Sequence, residues 1–121
     1  MSSKTSELGA MAERLASRYL SERGYRILNR NYRKPWGEID VVVEKDDCLM
    51  FVEIKASRQF HSGFDAELRA GMTKLHKVAR TAQTYLADHH YSADQLWQID
   101  IVSVTFARRM FGTMPYSLAI M

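Results

Sequence analysis

The sequence is poor in the residues that build covalent or metal-bound frameworks. Its 121 residues include one cysteine, Cys48, and four histidines. An internal disulfide is therefore excluded, and no cysteine–histidine spacing is typical of a zinc site. A single free cysteine fits a reducing compartment. The chain must fold on a hydrophobic core, and 46% hydrophobic residues suffice for one globular domain spanning residues 1–121.

Long apolar runs are also missing. Charged residues interrupt the first twenty positions, which argues against a signal peptide: Lys4, Glu7, Glu13, Arg14 and Arg18. No segment approaches the length needed to span a bilayer. There is no repeat, no low-complexity tract and no Pro/Gly/Ser-rich linker. We therefore expect a cytoplasmic protein that does not contact membranes, and we expect no organic cofactor.

The charge is small in total but unevenly distributed. The net charge is +3, yet basic residues dominate residues 1–35 and 68–121, whereas acidic residues dominate residues 36–67. An acidic centre between basic flanks suits a protein that binds both a cation and a polyanion. The alternative is that these charges only solvate the surface, and on composition alone this alternative is the simpler one.

Hydrophobic periodicity predicts seven elements. Apolar residues at helical spacing predict helices over 6–23 and 66–90, with Gly71 as a weak point that can split the second helix. Strands are predicted over 25–33, 38–45, 49–56, 96–106 and 115–121, the last at a sheet edge, with a loop over 57–65. The order α-β-β-β-α-β-β predicts an α/β domain in which two helices flank a mixed central sheet.

The strand over 49–56 ends in charged residues that share one face. Glu53 and Lys55 are two residues apart, so their side chains leave the same side of the strand. A tight turn at Asp46-Asp47 places Asp40 opposite Glu53, where two like charges repel unless a cation lies between them. Mg²⁺ or Mn²⁺ suits such a pair, and the backbone carbonyl of Ile54 is a candidate further ligand.

In this arrangement Lys55 would lie beside the metal, where it would orient the attacking water and stabilise charge on a phosphate. The alternative is a structural ion pair between Lys55 and Asp40 or Glu53. The tripeptide Glu-x-Lys is common in proteins, so by itself it favours the structural alternative. The position of Asp40 strengthens the metal-site hypothesis without excluding the ion pair.

Several short motifs together resemble a known family. They are Gly9-x-x-x-Glu13, Gly37-Glu38-Ile39-Asp40, Phe51-Val52-Glu53-Ile54-Lys55, and Lys74 eight residues before Ala82. Over residues 8–104 the chain resembles the YraN family of small bacterial proteins, which are similar to archaeal Holliday-junction resolvases and carry the PD-(D/E)XK nuclease signature. The resemblance implies a restriction-endonuclease-like core and metal-dependent hydrolysis of phosphodiester bonds in DNA. It also implies branched or flapped DNA as substrate and a homodimer.

The resemblance assigns roles residue by residue. Asp40 and Glu53 match the metal ligands, Lys55 matches the catalytic lysine, and Glu13 matches an acidic residue that completes the metal site. Lys74 matches a basic position near the site or the phosphate backbone. Further candidates for supporting the site or binding DNA are Glu38, Lys77, Arg33 and Lys34. Ile39 replaces the proline of the motif. For Glu13, Lys74 and the further candidates, the plainer alternative is a solvated surface position.

A wider set of basic residues is a candidate phosphate-binding face, which includes Arg14, Arg18, Arg26 and Arg30 beside Arg33 and Lys34. The leading hypothesis is an Mg²⁺- or Mn²⁺-dependent endonuclease. The first alternative is a nucleic-acid-binding module that keeps the nuclease fold without efficient turnover. The second is an interaction protein whose carboxylate–lysine cluster is structural.

Overall fold

The computed structural model describes residues 7–58, 64–106 and 116–120, with the backbone alone for 58, 64–74 and 116–120. The elements follow the predicted order α-β-β-β-α-β-β. They are α1 (Glu7–Glu22), β1 (Arg26–Lys34), β2 (Gly37–Lys45), β3 (Cys48–Arg58), α2 (Phe64–Asp88), β4 (Leu96–Phe106) and β5 (Tyr116–Ile120). The strand over 96–106 has the bounds that the sequence predicted, and the other elements differ by a few residues at their ends.

The five strands form one sheet in the order β1-β2-β3-β4-β5. Strands β1 to β3 are joined by short turns and pair antiparallel, as do β4 and β5. Strands β3 and β4 pair parallel, and α2 forms the crossover connection that a parallel pair requires. The predicted mixed α/β sheet is confirmed, with β5 at one edge, and the arrangement is consistent with a nuclease-like core.

The two faces of the sheet have separate cores. On one face, Ala12, Ala16 and Leu20 of α1 pack against aliphatic side chains that include Val41 and Val52. The small alanines let the helix approach the sheet closely. On the other face, the side chains from α2 pack against an aromatic core: Phe51, Tyr85 and Trp97 make edge-on ring contacts there. The β2–β3 hairpin therefore lies between two buried layers.

Strand β1 has an irregular register. Its pairing with β2 shifts between Ile27 and Asn29, which is a β-bulge. A bulge interrupts the alternation of side chains between the two faces. This explains why the sequence of β1 alternates poorly although the segment is a strand.

Two local predictions have different outcomes. Asp46 and Asp47 both have positive φ, 53° and 64°, and form the predicted tight turn between β2 and β3. The prediction that Gly71 can split the second helix is wrong, because α2 runs unbroken from Phe64 to Asp88. One glycine costs a helix only about 1 kcal/mol, which a 25-residue helix packed on a sheet tolerates. Most of the predicted 57–65 loop lies outside the described residues.

The start of β2 lies directly against α2. A Cβ atom at Gly37 would be 2.5 Å from Oγ1 of Thr81 and 3.3 Å from the carbonyl oxygen of Lys77. Thr81 is fully buried, and its hydroxyl donates to that same carbonyl. Glycine is therefore required at position 37 by the closeness of the helix. This contact fixes the strand three residues before Asp40.

Candidate metal site

The candidate site lies at the open end of the β2–β3 hairpin. The ladder runs from the pair Lys45–Cys48, beside the turn, to the pair Val41–Val52. This is the predicted register, in which the next step along the strands brings Asp40 to Glu53. At that step the backbone N–H of Ile54 donates to Oδ2 of Asp40 at 2.7 Å. The carboxylate of Asp40 thus accepts a hydrogen bond from a backbone N–H of β3 at the point where the ladder of strand pairs ends.

Asp40 also lies where β2 departs from strict alternation. Ile39 and Val42 both pack in the aromatic core under α2, whereas Val41 packs in the core under α1. In a regular strand, residues three apart would point to opposite faces. The strand is therefore distorted around Asp40, and this distortion lets its carboxylate reach across to the backbone of β3.

The electrostatics of Asp40 are those of a crowded acidic site. The pKa of its carboxyl is raised from 3.8 to about 7, and burial is the largest cause, followed by the negative charge of Glu53. The hydrogen bond from Ile54 lowers the pKa, and the charges of Glu38 and Glu13 make smaller contributions to the rise. Three acidic side chains therefore lie close enough to Asp40 to repel its charge. Without a cation, this carboxylate is ionised only at a cost.

The other predicted residues of the site occupy different environments. Glu53 is almost fully buried, with 3% of its surface exposed, and Glu13 on α1 is half-buried. Lys55 is half-buried too, and takes part in none of the ion pairs that join described residues. The structural ion pair between Lys55 and Asp40 or Glu53 stays an alternative interpretation of this cluster.

The candidate supporting and DNA-binding residues divide into two groups. Arg33 pairs with Glu38 at 3.3 Å, and Lys34 pairs with Asp88 at 3.0 Å, so each of these basic groups has an acidic partner at the surface. Lys77 is exposed on α2, one turn before Thr81, beside the start of β2. The side chain of Lys74 lies outside the described residues.

The donor chemistry of the site fits a hard divalent cation. Carboxylate oxygens are the ligands that Mg²⁺ and Mn²⁺ prefer, and Mg²⁺ commonly takes one or two carboxylates while keeping several waters. Asp40 and Glu53 provide such a pair. Among the residues that the structure describes, no three histidine, cysteine or acidic side chains are arranged to enclose a metal ion. The assignment of Glu13 and of the Ile54 carbonyl as further ligands stays a prediction.

Sequence reasoning missed part of the polar surface near this site. Ser17 is buried on α1, and its hydroxyl accepts a hydrogen bond from Nη1 of Arg30 at 3.2 Å. The signal was present in the sequence as polar residues at helical spacing along α1, from Arg14 to Ser21. The partner of Ser17 on β1 could not be predicted from the sequence, because the bulge in β1 decides which face of the sheet Arg30 occupies.

The fold and the site define a class: a mixed α/β domain with a buried acidic pair where its central hairpin opens. The chain belongs to the family described as "Uncharacterised protein family UPF0102", which it matches over residues 12–104. This confirms the family resemblance found from the motifs.

Similar proteins cover most of the chain. A UPF0102 protein of Roseiflexus castenholzii is 34% identical over 109 residues, covering 90% of this chain and 87% of the relative. One of Geobacter metallireducens is 34% identical over 110 residues, with 91% and 88% covered. One of Campylobacter fetus is 33% identical over 96 residues, with 79% and 81% covered. In the part of the chain that the structure describes, neither helix is long and apolar enough to cross a membrane.

Proposed function

We propose that this protein is a metal-dependent nuclease that hydrolyses phosphodiester bonds in DNA at the open end of the β2–β3 hairpin. The observation that carries the proposal is the state of Asp40. Its pKa rises to about 7 because the carboxyl is buried beside Glu53 and near two further acidic residues. A fold rarely keeps such repulsion without a use for it, and clustered perturbed carboxylates are typical of functional sites. A bound cation would remove the repulsion.

The residues divide the chemistry between them. Asp40 and Glu53 would hold Mg²⁺ or Mn²⁺, with Glu13 and the carbonyl of Ile54 as further ligands. When bound, the metal supplies a Lewis acid that activates water and neutralises charge on the phosphate. Lys55 would orient the attacking water and stabilise the charge that develops on the phosphate oxygens. Its position two residues after Glu53 on β3 supports this role.

The remaining features of the proposal rest on the family resemblance or on position. We propose branched or flapped DNA as the substrate, a homodimer as the active form, and the cytoplasm as its location. Two symmetric cuts in branched DNA need two sites, which a twofold dimer provides. Arg33, Lys34, Lys74 and Lys77 are proposed to contact DNA, with Glu38 beside Asp40.

One observation favours a second candidate, a nucleic-acid-binding module without efficient turnover. Among the described residues, no three histidine, cysteine or acidic side chains are arranged to enclose a metal ion, which suits a weakly held cation. A loosely held cation would permit DNA binding while leaving hydrolysis slow. The two candidates differ in whether cutting depends on the acidic pair and on metal.

The test is cleavage of end-labelled duplex, single-stranded, flapped and four-way-junction DNA with Mg²⁺, with Mn²⁺ and with chelator. Glu53→Gln and Lys55→Met are each expected to reduce cutting at least 100-fold, since each removes a group that acts at the reacting phosphate. Matched controls carry the same changes at the turn end of the hairpin, as Glu44→Gln and Lys45→Met, and are expected to cut normally. Folding of every variant is checked by circular dichroism.

Metal-dependent cutting that both site variants lose and both controls keep would establish the nuclease. Cutting that survives in folded Glu53→Gln would assign the activity to another site or a contaminant. Absence of cutting on all four DNAs, with DNA binding insensitive to metal, would reject the nuclease and leave the binding module.

A further inference from the structure

A cavity of about 370 Å³ lies between α1 and β1. The lining residues that the structure describes are strongly basic, and none of them is acidic: Arg14, Ser17, Arg18, Ser21, Ile27 and Arg30. We call this space the arginine cavity. Three guanidinium groups and two hydroxyls can donate many hydrogen bonds to one ligand. The lining therefore suits an anion with several acceptor oxygens.

The helix wall of the cavity follows from the spacing of residues in α1. Its four residues stand at positions i, i+3, i+4 and i+7 of the helix, so they form one continuous stripe from Arg14 to Ser21. The apolar stripe of α1, which includes Ala12, Ala16 and Leu20, packs on the sheet beside it. The helix thus presents a separate polar stripe to β1.

The strand wall depends on the β-bulge. Ile27 pairs with Val43 and Arg30 pairs with Val41, and both valines belong to the core under α1. Ile27 and Arg30 are three residues apart, so a regular strand would direct them to opposite faces. The bulge between Ile27 and Asn29 brings both to the α1 side. A distortion of β1 is therefore what gives the cavity its third arginine.

Arg30 is held in place rather than loosely solvated. Its Nη1 donates to Oγ of Ser17, which has only 4% of its surface exposed. Arg18 is oriented by Glu22, one turn further along α1, through Nε at 3.1 Å. A guanidinium group has five N–H donors, so one such bond leaves others to face a ligand. Preordered arginines of this kind suit bidentate binding of phosphate.

Two lining residues of the arginine cavity neighbour residues of the acidic site, one along the chain and one across the sheet. Arg14 follows Glu13 in α1, and Arg30 lies opposite Val41, which follows Asp40 in β2. Ser17 stands four residues after Glu13, a distance of about 6 Å along a helix. That distance is of the scale that separates neighbouring phosphates of a nucleic-acid strand, whose axial rise alone is about 3.4 Å per step. A strand with one phosphate at the acidic site would therefore place a neighbouring phosphate near the cavity.

We propose that the arginine cavity binds a backbone phosphate of the nucleic-acid strand whose adjacent phosphate lies at the acidic site. The inference rests on the proposed function for the identity of the ligand. It adds a positioning subsite that fixes the strand on one side of the reacting phosphate. Arg14 and Arg30 bind the phosphate, and Ser17 orients Arg30.

The test measures binding of a fluorescent single-stranded oligonucleotide in chelator, over a series of salt concentrations. A cation that contacts phosphate contributes about one unit to the slope of log affinity against log salt. Arg14→Gln and Arg30→Gln are each expected to lower that slope by roughly 0.7 to 1 and to weaken binding several-fold. Arg23→Gln is the matched control, because the guanidinium group of Arg23 lies over the ring of Tyr19 and is not among the described lining residues of the cavity, and it is expected to keep the slope.

Ser17→Ala is a second variant that keeps every charge. It is expected to weaken binding by less than Arg30→Gln while leaving the slope nearly unchanged, since Arg30 loses its orientation and not its charge. Thermal unfolding of each variant without DNA separates lost binding from lost folding. An equal slope for wild type, Arg14→Gln and Arg30→Gln would overturn the proposal.

A second arm distinguishes a strand phosphate from a free anion. Inorganic phosphate is added at constant ionic strength, and the thermal unfolding of wild type and Arg30→Gln is compared. We expect phosphate to raise both unfolding temperatures equally. Stabilisation of wild type alone at submillimolar phosphate would show a site for the free anion and overturn the strand assignment.

Failure of this inference and failure of the proposed function give different results. Normal slopes in both arginine variants, together with metal-dependent cutting, would reject the cavity and keep the nuclease. Lowered slopes without any cutting would keep the cavity as part of a binding module.

Discussion

The paired part of the β2–β3 hairpin differs from its open end. In the paired part, five residue pairs form a regular ladder between two cores, and Phe51 is fully buried among aromatic rings. At the open end, the ladder stops, a carboxylate accepts the next N–H, and burial works against the charge of Asp40. The paired part of the two strands thus contributes to stability. The open end holds groups that stability alone does not favour.

The largest expected effect comes from the paired part of the hairpin. Phe51→Ala should lower the free energy of unfolding by about 3 to 5 kcal/mol, because it empties a packed aromatic site. Urea denaturation monitored by circular dichroism measures the loss. Lys55→Ala, on the same face of β3 at the open end, should change the free energy by less than about 1 kcal/mol. A loss of several kcal/mol in Lys55→Ala would instead support the structural-cluster alternative.

A smaller loss is expected where α2 touches the start of β2. Gly37→Ala should cost about 2 to 3 kcal/mol, because the new methyl group would lie 2.5 Å from Oγ1 of Thr81. Combining it with Thr81→Ala tests the contact, since removing the hydroxyl should make the glycine replacement cheaper by about 1 kcal/mol. Chemical denaturation of the two single variants and the double variant gives the coupling. Additive losses would mean that the contact is not the cause.

A change of the opposite sign is expected at Asp40. The pKa of Asp40 is raised from 3.8 to about 7, so the folded protein keeps a proton that the unfolded chain loses across this range. Stability should therefore fall as the pH rises from about 4 to about 7. Asp40→Asn has no such charge and can still accept the Ile54 N–H. In chelator it should be more stable than wild type by up to about 4 kcal/mol at pH 8, and equally stable at pH 4.

Metal sharpens the same comparison. At pH 8, Mg²⁺ should raise the unfolding temperature of wild type but not that of Asp40→Asn, because only the ionised pair gains from a cation. Differential scanning fluorimetry with and without chelator measures both proteins. Glu44→Gln, at the turn end, is the control that should respond to Mg²⁺ as wild type does. A wild type that is unaffected by Mg²⁺ at every pH would argue against a metal at this pair.

The sequence was most informative where geometry is local. The turn at Asp46-Asp47 has two residues, so the register of β2 and β3, and with it the approach of Asp40 to Glu53, followed from counting. The strand over 96–106 was predicted with its observed ends because β-branched apolar residues recur through the whole segment. In both cases neighbouring residues carry the whole signal.

Features that depend on distant parts of the chain were not predictable. The reason for glycine at position 37 is an atom of Thr81 on another element. The face that Arg30 occupies depends on a bulge, and the same bulge hid the alternation of β1. The pKa of Asp40 is raised mainly by burial, with a small contribution from Glu13 on α1, and both depend on how the helices pack on the sheet. Sequence patterns contain candidates for such contacts but not their distances.

The brevity of the turn at Asp46-Asp47 also has a kinetic consequence. A two-residue turn makes the β2–β3 hairpin as local a pairing as the β1–β2 hairpin, whereas the β3–β4 pairing must wait for the whole of α2. Local contacts form early in folding, so Asp40 and Glu53 meet while water still surrounds them. Their repulsion grows only when the helices close over the sheet. The ionised pair should therefore hasten unfolding more than it delays folding.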